Sequence, residues 1–287
     1  MSSPSKLRAL LVLGRVSNLP TVWSNCLAGW LLGGGGEWNR FAVLCGGATL
    51  LYVGGMFLND AFDAEFDAQH RRERPIPSGV ISRGSVWRLG ITMLVAGTAL
   101  MFLFGFSTAI FGLLLAASIL LYDWLHKMIV FSPVLMASCR FFLYLAVASA
   151  GARGVTGWSL WPAVALACYI IGLSYLAKRE SFPKPIQFWP LLFLAVPFGL
   201  AWLVNDGEFR RTTLGYGLLL GVWVAWNLQF TFRSVHRNIG MTVSGLLAGI
   251  VLTDLLALGS VVYWPVVLVF LLLFVVALVF QRFIPAT

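Results

Sequence analysis

Charged residues are what this chain has least of. Asp and Glu number 11 and Lys and Arg 20 in 287 positions, so 11% of the residues are charged. A soluble globular domain carries about 25%, and the shortfall excludes an ordinary water-soluble enzyme. Histidine is rarer still: His70, His126 and His236 lie near the edges of apolar segments, without the spacing of zinc ligands. The four cysteines, Cys26, Cys45, Cys139 and Cys168, sit inside apolar segments and read as small packing residues rather than a disulfide framework or metal site. No alternating strand pattern of an outer-membrane barrel is present, and no repeat of the kind that builds transporters from inverted halves. No linker divides the chain, so 1–287 reads as a single domain. A cleavable signal is not expected either, because Asn18, Pro20 and Asn25 interrupt the first apolar stretch and no A-x-A site follows.

What is present is apolar sequence: 59% of the residues are hydrophobic and the mean hydropathy is +0.87. Runs of about 17–25 apolar residues can cross a bilayer as helices. They fall at about 19–34, 41–59, 85–107, 108–124, 131–151, 157–177, 187–205, 212–233, 243–259 and 262–283. The expectation is an all-α, polytopic membrane helical bundle of nine or ten transmembrane helices, the short run 243–259 bearing on the count. Gly is common inside the helices, as in Gly54-Gly55 and Gly217/Gly221, and the latter pair has the small-residue spacing expected to let helices approach closely. With a cytoplasmic N-terminus and ten crossings, fifteen Lys and Arg face the cytoplasm against four outside, with Arg140 inside a helix. The positive-inside rule favours that orientation. It also accounts for the net charge of +9 without nucleic acid as a partner.

The scarce acids are not scattered. Five of the eleven fall between Asp60 and Glu73, at the end of the second apolar segment, with Arg71, Arg72 and Arg74 among or just after them. A charged side chain within a spanning helix costs roughly 2.5–3.5 kcal/mol, so such groups are functional candidates by default. On a helix Asp60, Asp63 and Asp67 spread over about 60° of arc, with Asn59 on the same side and Glu65 pointing away. Three carboxylates and an amide oxygen are hard ligands for Mg²⁺, an ion that commonly binds through one or two carboxylates plus substrate phosphates. The bland alternative is a solvated helix end whose acids pair with the arginines. The following Arg74-Pro75-Ile76-Pro77-Ser78-Gly79 sets a rigid loop whose arginine fork can hold phosphate oxygens. Metal-binding acids beside phosphate-binding bases suggest a diphosphate substrate, and the apolar surroundings suggest that the rest of it is a lipid tail.

The run N-D-x-x-D-x-x-x-D at Asn59, Asp60, Asp63 and Asp67, followed by R-P-I-P-S-G at 74–79, resembles the UbiA superfamily of intramembrane prenyltransferases. Gly14-Arg15-Val16-Ser17-Asn18-Leu19-Pro20-Thr21 is similar to the opening of that family's first helix, with a basic residue and an Asn near the active site. The resemblance implies a helical bundle around a lipid-facing cavity, with Mg²⁺ as cofactor. It implies transfer of a prenyl group from a polyprenyl diphosphate to a small or lipophilic acceptor. Catalysis and metal binding are then expected at Asp60, Asp63, Asp67 and Asn59. Substrate contacts are expected at Asn18, Asn59, Arg74, Tyr122, Lys127, Lys178 and Glu180. The family also places a second Asp-rich motif near the end of the sixth helix. This chain reads Gly172-Leu-Ser-Tyr-Leu-Ala-Lys-Arg-Glu-Ser181 there, with Glu180 the one acid. Either Glu180 supplies a ligand, or Lys178 and Arg179 neutralise the diphosphate directly, or ordinary chemistry has been lost. The last branch leads to a second reading, a UbiA-like protein that binds or translocates a polyprenyl-linked metabolite. Arg140 and Asp254, each isolated within an apolar segment, are expected to serve structure: Arg140 pairs with Asp123 or Asp254, the alternative being that it faces the cavity.

Overall fold

The computed structural model describes residues 5–181, 188–233, 237–259 and 263–286, and every regular element among them is helical. A short α1 (Lys6–Leu13) leads through a 3₁₀ turn, Val16–Asn18, into α2 (Leu19–Leu32). Then come α3 (Trp38–Phe62), α4 (Ala64–His70), α5 (Arg83–Phe102), α6 (Phe106–Leu125), α7 (Ser132–Ser149) and α8 (Gly157–Ser181). The chain closes with α9 (Pro190–Val204), α10 (Gly207–Phe232), α11 (Ile239–Leu258) and α12 (Trp264–Phe283). Each of the ten apolar runs overlaps one of these helices. Seven helices among the described residues are long and apolar enough to cross a membrane: α3, α5, α6, α7, α8, α11 and α12. The chain is an integral, multi-pass membrane protein.

Local chemistry fixes the breaks. Pro20, Pro133, Pro190 and Pro265 stand in the first turns of their helices, where a missing N–H loses nothing. The run expected to continue to 107 stops at Phe102, because Gly105 turns the chain at φ +107 into α6 and that conformation favours glycine.

Two apolar cores share α2 and α7. One gathers α8 to α12 around residues such as Tyr169, Leu246 and Phe270. The other joins α3, α5 and α6 around Leu51, Leu94, Met101 and Ile119. Helix α11, within the run whose crossing was in question, is the innermost element: 83% of its most apolar window is buried, against 11% for α12. The outward Leu268, Leu272 and Val275 of α12 are more than half exposed, the surface a bilayer would cover.

Close backbone approach occurs between α3 and α5 rather than at the expected Gly217/Gly221. A Cβ on Gly54 would meet the Gly90 oxygen at 2.9 Å, and one on Gly97 the Gly47 oxygen at 2.8 Å. At Gly217 and Gly221 the nearest atoms are 3.8 and 3.6 Å away, ordinary contact. The glycine pairs of α3 and α5 hold together the two helices that flank the acidic run.

A candidate active site at the end of the bundle

Asp63 caps α3 and opens α4 with φ −79 and ψ −5, so the helical course passes through it almost unbroken. Its N–H donates to the Asn59 carbonyl at 3.0 Å, and the Asp67 N–H donates to the Asp63 carbonyl at 2.9 Å. Helical spacing therefore survives the junction and keeps the three carboxylates on one side. Glu65 points away, as its position on the helix requires, and pairs with Arg83 at 2.9 Å.

Cations close over this face from three directions. Arg74, from the Pro-rich loop, donates to Asp60 Oδ1 at 3.0 Å and to Asp67 Oδ2 at 3.2 Å. Arg15, before α2, donates to Asn59 Oδ1 at 3.3 Å and lies 3.5 Å from Asp60 Oδ1. Arg15 has φ +41, the one positive value outside glycine among the described residues. Such a residue costs on the order of 1–3 kcal/mol, and strain of this kind concentrates at functional sites. The loop after α6 brings Lys127 Nζ to 2.7 Å from Asp63 Oδ1 and His126 Nε2 to 3.4 Å from Asp63 Oδ2. Lys127 also lies 3.9 Å from the centre of the Phe66 ring, and Tyr122 stacks on His126 at 5.1 Å.

Asn59 links this face to α6: its Nδ2 donates to Asp123 Oδ1 at 3.1 Å. Asp123 is 3% exposed, and its other oxygen is buried without a hydrogen-bond partner among the described residues. Burial would raise the Asp63 carboxyl, but His126 and Lys127 together hold it below the usual carboxylate range. Burial pushes Asp67 the other way, and with the repulsion of Asp63 and Asp60 it outweighs the attraction of Arg74 and Lys127. At Arg15 burial works against the charge, yet Asp60 and its neighbours hold the proton more firmly than usual.

The expected residues do not all meet here. Asp60, Asp63, Asp67, Asn59, Arg74, Tyr122 and Lys127 do. Asn18 is buried under the C-terminal segment, its Nδ2 donating to the Ala286 carbonyl at 2.9 Å. Lys178 donates instead to the carbonyls of Ile129 and Val130, at 3.0 and 3.2 Å. The Glu180 side chain lies outside the described residues. Two participants lie outside the expected contacts: Arg15, which the resemblance gives only as the basic residue of the first helix's opening near the active site, and His126, which the sequence shows as a boundary histidine. The available signal for His126 was its place between Lys127 and Tyr122, one helical turn after the tyrosine.

Arg140 and Asp254 are joined indirectly rather than as a direct ion pair. Arg140 donates to Asn25 Oδ1 at 2.6 Å, and the same amide donates to Asp254 Oδ2 at 2.7 Å. Thr21 accepts twice from Arg140, and Ser24 donates to Asp254 at 2.6 Å. This relay ties α2, α7 and α11 together inside the bundle.

Among the described residues no three His, Cys, Asp or Glu side chains converge closely enough to hold a metal unaided. The donor set nevertheless suits Mg²⁺ carried in by a diphosphate. Asp60, Asp63 and Asp67 supply hard oxygens, and that ion completes its shell with phosphate and water.

Residues 18–284 match the model of the UbiA prenyltransferase family. Digeranylgeranylglyceryl phosphate synthase of Ignicoccus hospitalis is 37% identical over 101 residues, 35% of this chain and 33% of the relative. The Korarchaeum cryptofilum enzyme of the same name is 33% identical over 35% of this chain and 36% of its own length. These matches span about a third of the curated relatives. Over the full fold, a solved digeranylgeranylglyceryl phosphate synthase superposes with a TM-score of 0.59 at 18% identity, covering 95% of this chain and 98% of the other. A UbiA homologue from Archaeoglobus fulgidus bound to GPP and Mg²⁺ gives 0.54 at 12% identity, covering 96% and 97%.

Proposed function

The chain belongs to the UbiA prenyltransferase family, and on that premise we propose that it transfers a prenyl group from a polyprenyl diphosphate to a small or lipophilic acceptor with Mg²⁺. The observation that carries the reading is the opposition of Asp60, Asp63 and Asp67 to Arg15, Arg74 and Lys127 at one end of an apolar bundle. Without ligand, each of these acids has a cation as its partner. A metal diphosphate would satisfy both partners at once: Asp60, Asp63 and Asp67 would hold the metal, and Arg15, Arg74 and Lys127 would donate to the phosphate oxygens. The positive-inside orientation puts this end at the cytoplasmic face.

When bound, Mg²⁺ would add positive charge against the diphosphate. The chain's own groups do the rest. Arg74 and Lys127 turn from the acids to the leaving phosphate oxygens. The bond between the prenyl C1 and the diphosphate oxygen breaks with its electron pair going to that oxygen, and fixed cations aimed there lower the barrier. The bundle keeps water from the allylic cation until the acceptor attacks C1 and gives up its proton to the released diphosphate. Asn59, held between Arg15 and Asp123, orients the acid face.

The curated relatives' name makes a prenylated glyceryl phosphate the first acceptor to supply. The test is diphosphate release from geranylgeranyl diphosphate by the purified protein with geranylgeranylglyceryl phosphate or an aromatic acid, with Mg²⁺ or with EDTA. Transfer product and equimolar diphosphate in Mg²⁺, and neither in EDTA, are expected. Donor binding without diphosphate release for any acceptor would contradict transfer and favour a carrier.

A further inference from the structure

We infer that Lys178 is a positioning residue for the donor site, acting through the 126–131 loop rather than by touching the diphosphate. The inference rests on the reading of that site as a diphosphate site.

The loop between α6 and α7 has little of its own to hold it. Met128, Val130 and Phe131 are 74%, 72% and 70% exposed, so its apolar tips bury almost nothing within the chain. Yet this loop must place Lys127 and His126 on Asp63. Segments with few buried contacts open locally at low free energy, and an ammonium misplaced by 1 Å loses much of its use at a reacting centre. Lys178, at the end of the spanning part of α8, supplies the missing restraint. Its ammonium takes two consecutive carbonyls of the loop, Ile129 at 3.0 Å and Val130 at 3.2 Å. Hydrogen bonds from a charged donor are roughly twice as strong as neutral ones. The position is the one where the family's second acidic motif is expected. Here it carries a cation that secures a second cation, Lys127, over the first acidic motif.

Two measurements on the full-length protein in detergent test this. The first needs no donor: amide exchange of residues 126–131 in wild type, Lys178→Met and Lys178→Arg. Exchange is expected to rise about tenfold or more in the methionine variant and to stay near wild type in the arginine variant, which keeps charged donors. The second is Mg²⁺-dependent binding of geranylgeranyl thiodiphosphate to wild type, Lys178→Met, Lys127→Ala and the double variant. Lys178→Met is expected to weaken binding about tenfold in the wild-type background and less than about twofold in the Lys127→Ala background, because the two residues act in series. Equal losses in both backgrounds, or unchanged loop exchange, would overturn the inference. If Lys178→Met does not fold, Lys178→Gln takes its place in both measurements with the same criteria. A wild type that binds no thiodiphosphate overturns the parent reading as well. Additive losses in a wild type that does bind overturn this inference alone.

Discussion

Asp63→Ala is expected to reduce prenyl transfer by on the order of 10²–10³-fold, the range for removing a group that holds transition-state charge in place, while the protein stays folded. Asp63 is the carboxylate at the α3–α4 junction, and the variant removes both an oxygen ligand and the anchor of Lys127 and His126. The fold should tolerate this. The Lys127 side chain is 37% exposed, against 13% for Asp63, and keeps its contact with the Phe66 ring, so a pair open to solvent on its cationic side contributes about 1 kcal/mol. A midpoint shift of no more than roughly 2–4 °C in thermal unfolding follows. Normal turnover in this variant would sink the metal assignment. The pH dependence has a definite sign. Asp63 is held below its ordinary carboxylate range, so its charge and the stability its pairing contributes are present above the unfolded value. They are lost only as pH falls through the lowered folded value. Asp67 is raised by burial. It therefore takes up a proton before Asp63 on acidification, and apparent Mg²⁺ affinity should begin to fall there.

Arg140→Met should act on the fold instead. It leaves Asp254, 1% exposed in the innermost helix, with Ser24 and Asn25 as neutral donors and no cation behind them. Breaking a buried ionic link by removing one partner costs about 3–5 kcal/mol, a loss that lowers the unfolding midpoint by roughly 10 °C or more for a chain of this size. The double change Arg140→Met with Asp254→Leu should recover most of it, because an apolar pair of similar volume has no charge to leave unpaired. Thermal unfolding in detergent decides. A single variant as stable as wild type would show that the relay carries little, and a double variant no better than the single would show that Arg140 acts by packing alone.

The sequence revealed most where one rule dominated. Apolar length alone located ten helices, because a chain in lipid must satisfy its backbone internally. Helical spacing alone placed Asp60, Asp63 and Asp67 together and Glu65 apart. It failed where two distant segments had to meet. Nothing local says that Gly54 faces Gly90 whereas Gly217 meets only side chains, since both patterns look alike in one helix. The relay through Asn25 was hidden because its three members come from α2, α7 and α11. Lys178 looked like a diphosphate contact because its own segment shows a cation at a site end, while its actual partners are backbone carbonyls, which leave no trace in sequence. The run that holds helix α11, 243–259, is short and so bears on the count of crossings, yet that helix is the innermost element of the bundle.

The most direct measurement of the central claim is binding of a non-ionising geranylgeranyl thiodiphosphate to the purified protein, with Mg²⁺ and with EDTA, for wild type and Asp63→Ala. It requires no acceptor. Binding that depends on Mg²⁺ in the wild type and weakens at least about tenfold in the variant is the predicted result. Wild-type binding that is equally tight in EDTA, or that Asp63→Ala leaves unchanged, would contradict a metal-diphosphate site at this end of the bundle.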